Sequence, residues 1–515
     1  MCATLANPET LAASRSATRT RASVRGSTII CFLIGLLTTQ NILLWCFLRF
    51  PHWSTLAGVA AVVGIGAMAT ARRIPWRPDF EIDLRLIASC FAVSMLLFIL
   101  GGEGRFLYQT SDWQVRNAVL HDLVIYPWPY AYAAGERAEL LRAPLGLYLV
   151  PALIGKLSGL RSAELALMAQ SAVMMTGILS LGAGLFQQAS KRLVALVIFL
   201  GFSGMDVVGA WLLGQRLDMH LEGWCGVQFS STLTLAYWVP MHALAGWIGA
   251  VLYLLWRSER IPLFAFLAPL PLLALLSPLA LIGIMPFAAV AGISAISSRA
   301  LRTADVALPF ATLVLSLPAL IYLSSATGAV APQVNTLSMQ GWAVFECIEV
   351  LPYLFAVVAS GRPSRFGQGT IAVTAGLLLL LPWGQVGTGP DIPMRASITA
   401  LAILSVLVSD LLLDSDKGVR SRLCRGGALI MFMIGTVTPF SETWRAISRS
   451  RQALPTCSYF GVVPGGAPTY VAPLEQVPSP IAPASPTLAH PEDPPSCKEV
   501  GLVAMELRYV GARQN

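Results

Sequence analysis

Apolar runs near the roughly 20 residues needed to cross a bilayer recur from Thr28 to Trp444, separated by Arg-rich or Pro/Gly-rich breaks. The pattern predicts helical spans at about 28–48, 53–71, 85–103, 163–187, 192–213 and 231–254, then a short pair at 262–275 and 279–297. Five more are expected at 304–325, 342–360, 369–387, 396–414 and 426–442. Barrel strands are excluded by run length. The fold class expected is an all-α integral membrane protein with about 13 transmembrane helices.

Composition strengthens this reading. The 515 residues are 55% hydrophobic and only 12% charged, with a mean hydropathy of +0.67, against about 25% charged residues in soluble proteins. A net charge of +8 would suggest nucleic acid in a soluble protein, but here the basic residues fall between apolar runs, the pattern of cytoplasmic loops. No nucleic-acid partner is expected. The cysteines are scattered: Cys31, Cys46, Cys90 and Cys347 lie in apolar runs, and no CxxC or Cys/His spacing predicts a metal site. Residues 1–27 are rich in Ser, Thr and Arg and are read as a disordered cytoplasmic tail.

The segment 143–158 decides the topology. It is apolar but short, and carries Pro144, Pro151 and Lys156. Counted as a span, it puts Lys191/Arg192, Arg257/Arg260, Arg299/Arg302 and Arg420/Arg422/Arg425 outside; laid in the interface, it puts them inside with Arg72/Arg73/Arg77 and Arg362/Arg365. The charge bias favours the interfacial placement. The transmembrane domain is then 28–442, with a Pro-rich tail, 443–515, outside. Loops 104–162, 214–230 and 388–395 share that side. There Cys457 and Cys497 are candidates for a disulfide. No internal or inverted repeat is visible.

The chemistry-bearing residues gather in those loops. Ser111 with Gln114 is a capping-box pattern, so a helix is expected from there to about Val124, stopped by Pro127. Asp112 falls in its first turn with Arg116 one turn on, and His121 and Asp122 compete with Asp112 as candidate catalytic groups. The aromatic stretch around Trp128 suits a headgroup-level belt or a sugar-stacking surface. Asp206 in an apolar helix requires a partner or a wet cavity. Arg216, Asp218, His220 and Glu222, with His242 at the start of the next span, are candidates for binding a phosphate and orienting a leaving group. Asp391 and Arg395 precede span 396–414, and Arg395 is the leading candidate for gripping a phosphate.

SDWQVRNAVLHDL, YPWPY, APLGLYLVPALIGKLSG, FSGMD and DIPMRASITAL resemble motifs of uncharacterised bacterial polytopic proteins with the layout of the GT-C superfamily of membrane glycosyltransferases, over about residues 85–415. The resemblance implies a GT-C-like fold and an inverting transferase in the bacterial cytoplasmic membrane, taking sugar from a polyprenyl-phosphate donor to a lipid or glycan acceptor at the periplasmic face. Asp112 matches the family's early-loop acid, and RAPL at 142–145 stands where relatives have an HPPL-like segment. The SDW in place of a paired acidic motif leaves a divalent metal open, and no other cofactor is implied. Two alternatives stand beside it: a lipid or glycan transporter or flippase using Asp206, Glu346 and Glu349, and a polysaccharide polymerase or acyltransferase.

Overall fold

The computed structural model describes residues 22–48, 76, 79–135, 137–217, 220–326, 328, 332–386, 389–451 and 456–497. The expected span 53–71, Asp218 and most of the N-terminal tail lie outside the described residues.

The described chain is mostly helical, and six helices are long and apolar enough to cross a membrane: Gly26–Leu48, Leu160–Ala183, Ala189–Leu212, Pro278–Ser297, Thr303–Ser324 and Val419–Ser448. Thr303–Ser324 has a mean hydropathy of 2.1 yet only 22% of its apolar window is buried in protein. Such a face, with Phe310, Val314 and Leu317 exposed, needs hydrocarbon around it. The chain is thus a membrane protein.

Other predicted spans are broken, and each break has a cause. The segment 262–275 forms two short helices, Leu263–Leu267 and Leu270–Leu273, divided at Pro269, with Pro271 in the first turn of the second. The segment 342–360 bends by 56° between Met339–Glu349 and Leu351–Ala359, where Pro352 enters the second helix. Thr232–Trp238 and Pro240–Arg257 are divided at Val239. Leu84–Leu100 stops three residues before the expected end of its span.

Gly146–Ser158 is a helix of 13 residues, about 20 Å long, too short to cross about 30 Å of hydrocarbon. It packs on the helix that follows, Leu160–Ala183, and on Ser111–Ile125. Members of three basic clusters converge on the segment 359–366: Arg257 Nε donates to Phe366 O (2.8 Å), Arg365 bonds Leu185 O and Asp410, Arg362 pairs with Asp414 at 2.6 Å, and Arg420 donates to Ala359 O.

The long early loop and the Pro-rich tail form one unit. Strands Tyr130–Ala134 and Arg137–Leu141 make a hairpin flanked by tail strands Val471–Pro473 and Thr487–Ala489, with Tyr130 beside Thr487 and Leu141 beside Val471. The helical pattern along the chain gave no sign of this small sheet: Pro-rich segments that cannot form helix can still lend strand edges. Cys457 and Cys497 are disulfide-bonded, Asp493 accepts from Ser458 N at 2.7 Å, and Arg142 N donates to Tyr470 O at 2.6 Å. The last helix also runs to Ser448, past the expected domain boundary.

Candidate functional site

The helix Ser111–Ile125 forms as expected, although Thr110 rather than Ser111 is its N-cap residue and no side chain caps it. It carries two carboxylates with opposite fates. Asp112, 22% exposed in the first turn, lies 3.4 Å from Arg116, which is only 4% exposed. Asp122 is sealed: it accepts from Tyr132 Oη (2.6 Å) and Tyr459 N (2.8 Å), and His121 Nδ1 lies 2.9 Å away. Burial pushes the Asp122 carboxyl up, against those hydrogen bonds. Asp122 therefore fastens the tail to the loop with its side chain fully buried, and His121 lies against it from the partly exposed side. Trp128 is similarly occupied, donating from Nε1 to Leu123 O at 2.8 Å, with the Lys156 ammonium 5.2 Å from its ring centroid.

Asp112 and Arg116 belong to a first polar cluster assembled from distant segments. The charges of Arg395 and Arg116 both act on the His242 ring, whose Nδ1 is 2.8 Å from Ser277 Oγ. Arg116, Tyr470, Glu103 and Asp112 all act on the buried Tyr148 hydroxyl. Arg395 lies in the last turn of the short helix Asp391–Ala396, paired with Asp391 at 3.1 Å. It stands, as expected, just before a helix N-terminus, that of Ile398–Leu412, and the break at Ser397 also places it in a C-terminal turn, where a cation is welcome. Nε and Nη1 of Arg116 and Nε of Arg395 are buried with no hydrogen-bond partner among the described residues. Buried donors left open in this way call for a ligand or water.

Glu103, Tyr148 and Tyr470 are members of this neighbourhood that sequence reasoning missed. Glu103 falls inside an expected span, but Gly102 (φ 89°) and Gly104 (φ 71°) form a left-handed turn around it that only glycine adopts easily, and its side chain is fully buried. The flanking glycines in GGEG were the available signal. Tyr470 comes from the tail and carries no local signature.

A second cluster lies across the helix Thr232–Trp238, whose Tyr237 O accepts from Trp113 Nε1 and whose Trp238 Nε1 donates to Glu442. Asp206 accepts from Ser203 (2.9 Å) and Thr438 (3.0 Å). Trp224 Nε1 donates to Glu349 at 3.0 Å. The Glu349 carboxylate occupies the space a side chain at Gly204 would fill, since a Cβ there would stand 1.6 Å from its Oε2. Glu222 accepts from Gln228 (2.7 Å) and Ser231 N (2.8 Å). Burial pushes Glu222 up to about 7, with His220 opposing and Asp206 reinforcing. His220 Nδ1 is 3.0 Å from Glu442. Burial alone would lower the His220 pKa, but the Glu442 hydrogen bond and the charge of Glu222 raise it. Arg216 is exposed on the same loop. The expected gathering of all outer-loop residues thus resolves into two clusters, with His220 and Glu222 apart from Asp112 and Arg395.

Comparison with protein families, curated proteins and solved structures finds no match. The chemistry has to be read from the residues themselves.

Proposed function

We propose that this protein is a GT-C-type membrane glycosyltransferase that moves a sugar from a polyprenyl-phosphate donor to an envelope glycan or lipid acceptor at the periplasmic face of the bacterial cytoplasmic membrane. The observation that carries the reading is Asp112 paired with Arg116, while Arg116 and Arg395, from separate segments, both act on His242 and keep buried N–H groups without a partner among the described residues. In this mechanism Asp112 accepts the proton of the acceptor hydroxyl. The acceptor oxygen then forms the bond to the sugar's anomeric carbon as the bond to the donor phosphate oxygen breaks, inverting the centre. Polyprenyl phosphate leaves with its charge met by Arg395 and Arg116. His242 stays hydrogen-bonded to Ser277. The gathering of Arg257, Arg362, Arg365 and Arg420 around the segment 359–366 supports placing that segment in the cytoplasm. The full set of thirteen crossings belongs to this reading.

The test is to incubate purified protein with radiolabelled polyprenyl-phosphate sugar and cell-envelope acceptors. Transfer is expected with the wild type and is expected to vanish in Asp112→Asn, which keeps side-chain shape. Full transfer by that variant removes the proposed base.

One observation favours a second reading, a lipid or glycan transporter. Asp206 and Glu349 are buried against each other, and both oxygens of buried Glu346, a turn away, lack a hydrogen bond among the described residues. Intramembrane carboxyls so placed suit proton coupling. Transbilayer movement of a lipid-linked sugar in proteoliposomes, with no covalent product, separates this reading from the first.

A further inference from the structure

The first cluster holds two kinds of open buried group, and they do not satisfy each other. Arg116 offers Nε and Nη1, and Arg395 offers Nε, all buried and without a hydrogen bond among the described residues, while Glu103 holds both carboxyl oxygens buried with the Ser171 hydroxyl as the one hydrogen-bonding side chain that acts on them. Glu103 lies beside Ser171 and within the field of Arg116. The turn that carries it is braced: Arg161 Nη1 donates to Gly104 O at 2.6 Å, Gln109 Nε2 to Gly102 O at 2.9 Å, and Arg105 and Arg161 both pair with Glu164, at 3.2 and 2.9 Å. The fold therefore holds a carboxyl inside against a desolvation penalty that a hydrogen-bonding occupant offsets.

An anion alone explains the arginines but not the whole of Glu103, since a phosphate oxygen can take at most the one proton of its carboxyl and leaves the carbonyl oxygen without a donor. A ligand carrying hydroxyl groups next to its phosphate fits both sets. We propose that Glu103 is a specificity-determining residue of this site, hydrogen-bonding hydroxyl groups of the sugar while Arg116 and Arg395 hold the phosphate to which that sugar is attached. The proposal rests on the transferase reading and deepens it by assigning the sugar side of the site.

Burial pushes the Glu103 carboxyl up to about 8, so at neutral pH it is largely uncharged, able both to donate to and to accept from hydroxyls, and it leaves the charge of Arg116 to the phosphate. Above that value it ionises and competes for Arg116. The charged and titratable groups around it are Arg116, Tyr148, Arg105, Arg161 and Glu164.

The test measures binding of undecaprenyl phosphate and of undecaprenyl phosphate glucose, mannose and arabinose to the full-length protein in nanodiscs. The wild type is expected to prefer at least one sugar-bearing lipid over the bare phosphate by about 10-fold or more. Glu103→Ala is expected to erase that preference while leaving affinity for the bare phosphate unchanged at pH 7. Glu103→Gln, which keeps size and hydrogen bonding, is expected to retain the preference but to lose the weakening of phosphate binding that the wild type shows between pH 7 and 9. A full sugar preference in Glu103→Ala, or an identical pH profile in wild type and Glu103→Gln, overturns the proposal while leaving the transferase reading standing. Failure of the wild type to bind any of these lipids overturns both.

Discussion

Two polar clusters flank the helix Thr232–Trp238, and they differ in which groups they leave open. In the second, Asp206 accepts from Ser203 and Thr438, Glu349 from Trp224, Glu222 from Gln228, and Glu442 from Trp238 and Arg445, and the open atoms there are mainly carboxyl oxygens: one each of Asp206 and Glu349 and both of Glu346. In the first, the guanidinium donors of Arg116 and Arg395 are buried and open as well. Carboxylates held by several protein donors fix helices to one another, whereas open guanidinium donors call for an anion or water. The same contrast repeats on a single helix, where Asp112 keeps access to solvent and Asp122 is consumed by the tail.

The comparison breaks most sharply at Arg395. Arg395→Ala is expected to lower sugar transfer by about 10²–10³-fold, the scale of removing one donor to a developing charge, whereas Asp206→Asn in the other cluster leaves transfer within a few-fold. Comparable losses in both variants, read as labelled product over time, erase the distinction between the two clusters. If transport is the activity, the order reverses, with Asp206→Asn the damaging change.

Next in size is the tail. Converting both Cys457 and Cys497 to Ser opens a loop of 40 residues and is expected to destabilise the cap by about 2–4 kcal/mol, seen as rapid proteolysis of the tail. Because Tyr470 reaches the field of Tyr148, weaker donor binding should accompany the cleavage. A tail as resistant as in the wild type removes the tail from the site.

Asp122→Asn is a finer cut. It keeps the shape but weakens the bonds from Tyr132 and Tyr459, with an expected loss of about 1–3 kcal/mol and chemistry in the folded fraction unchanged. A fall in turnover without a fall in melting temperature makes Asp122 a reacting group after all.

The smallest effect belongs to His220. Its pKa is raised because Glu442 and Glu222 outweigh burial, so its protonated form is favoured in the folded state. A base raised on folding lends stability that is complete below its unfolded pKa of about 6.5 and fades as pH rises through the folded value. The wild type should lose thermal stability upward from about pH 6.5, and His220→Gln should flatten that slope. Equal slopes place the raised charge elsewhere.

The solvent of this protein and most of its helices are legible in the apolar pattern, because an apolar run of 20 residues has few other stable states and its breaks are written in Arg, Pro and Gly. Asp112, Arg116, Asp391 and Arg395 are legible too as chemistry-bearing residues, since each lies near a predicted helix end in a polar loop. Which of them share a site depends on the three-dimensional packing. His220 and Asp112 occupy loops of similar character, yet Thr232–Trp238 stands between their clusters. Asp122 reads like Asp112 until Tyr459, 337 residues away in sequence, closes over it. Glu103 reads as the end of a span until two left-handed glycines turn it inward. Local pattern reports what a segment prefers, whereas burial and hydrogen-bond satisfaction depend on partners hundreds of residues away, and those two quantities separate a structural carboxylate from a working one.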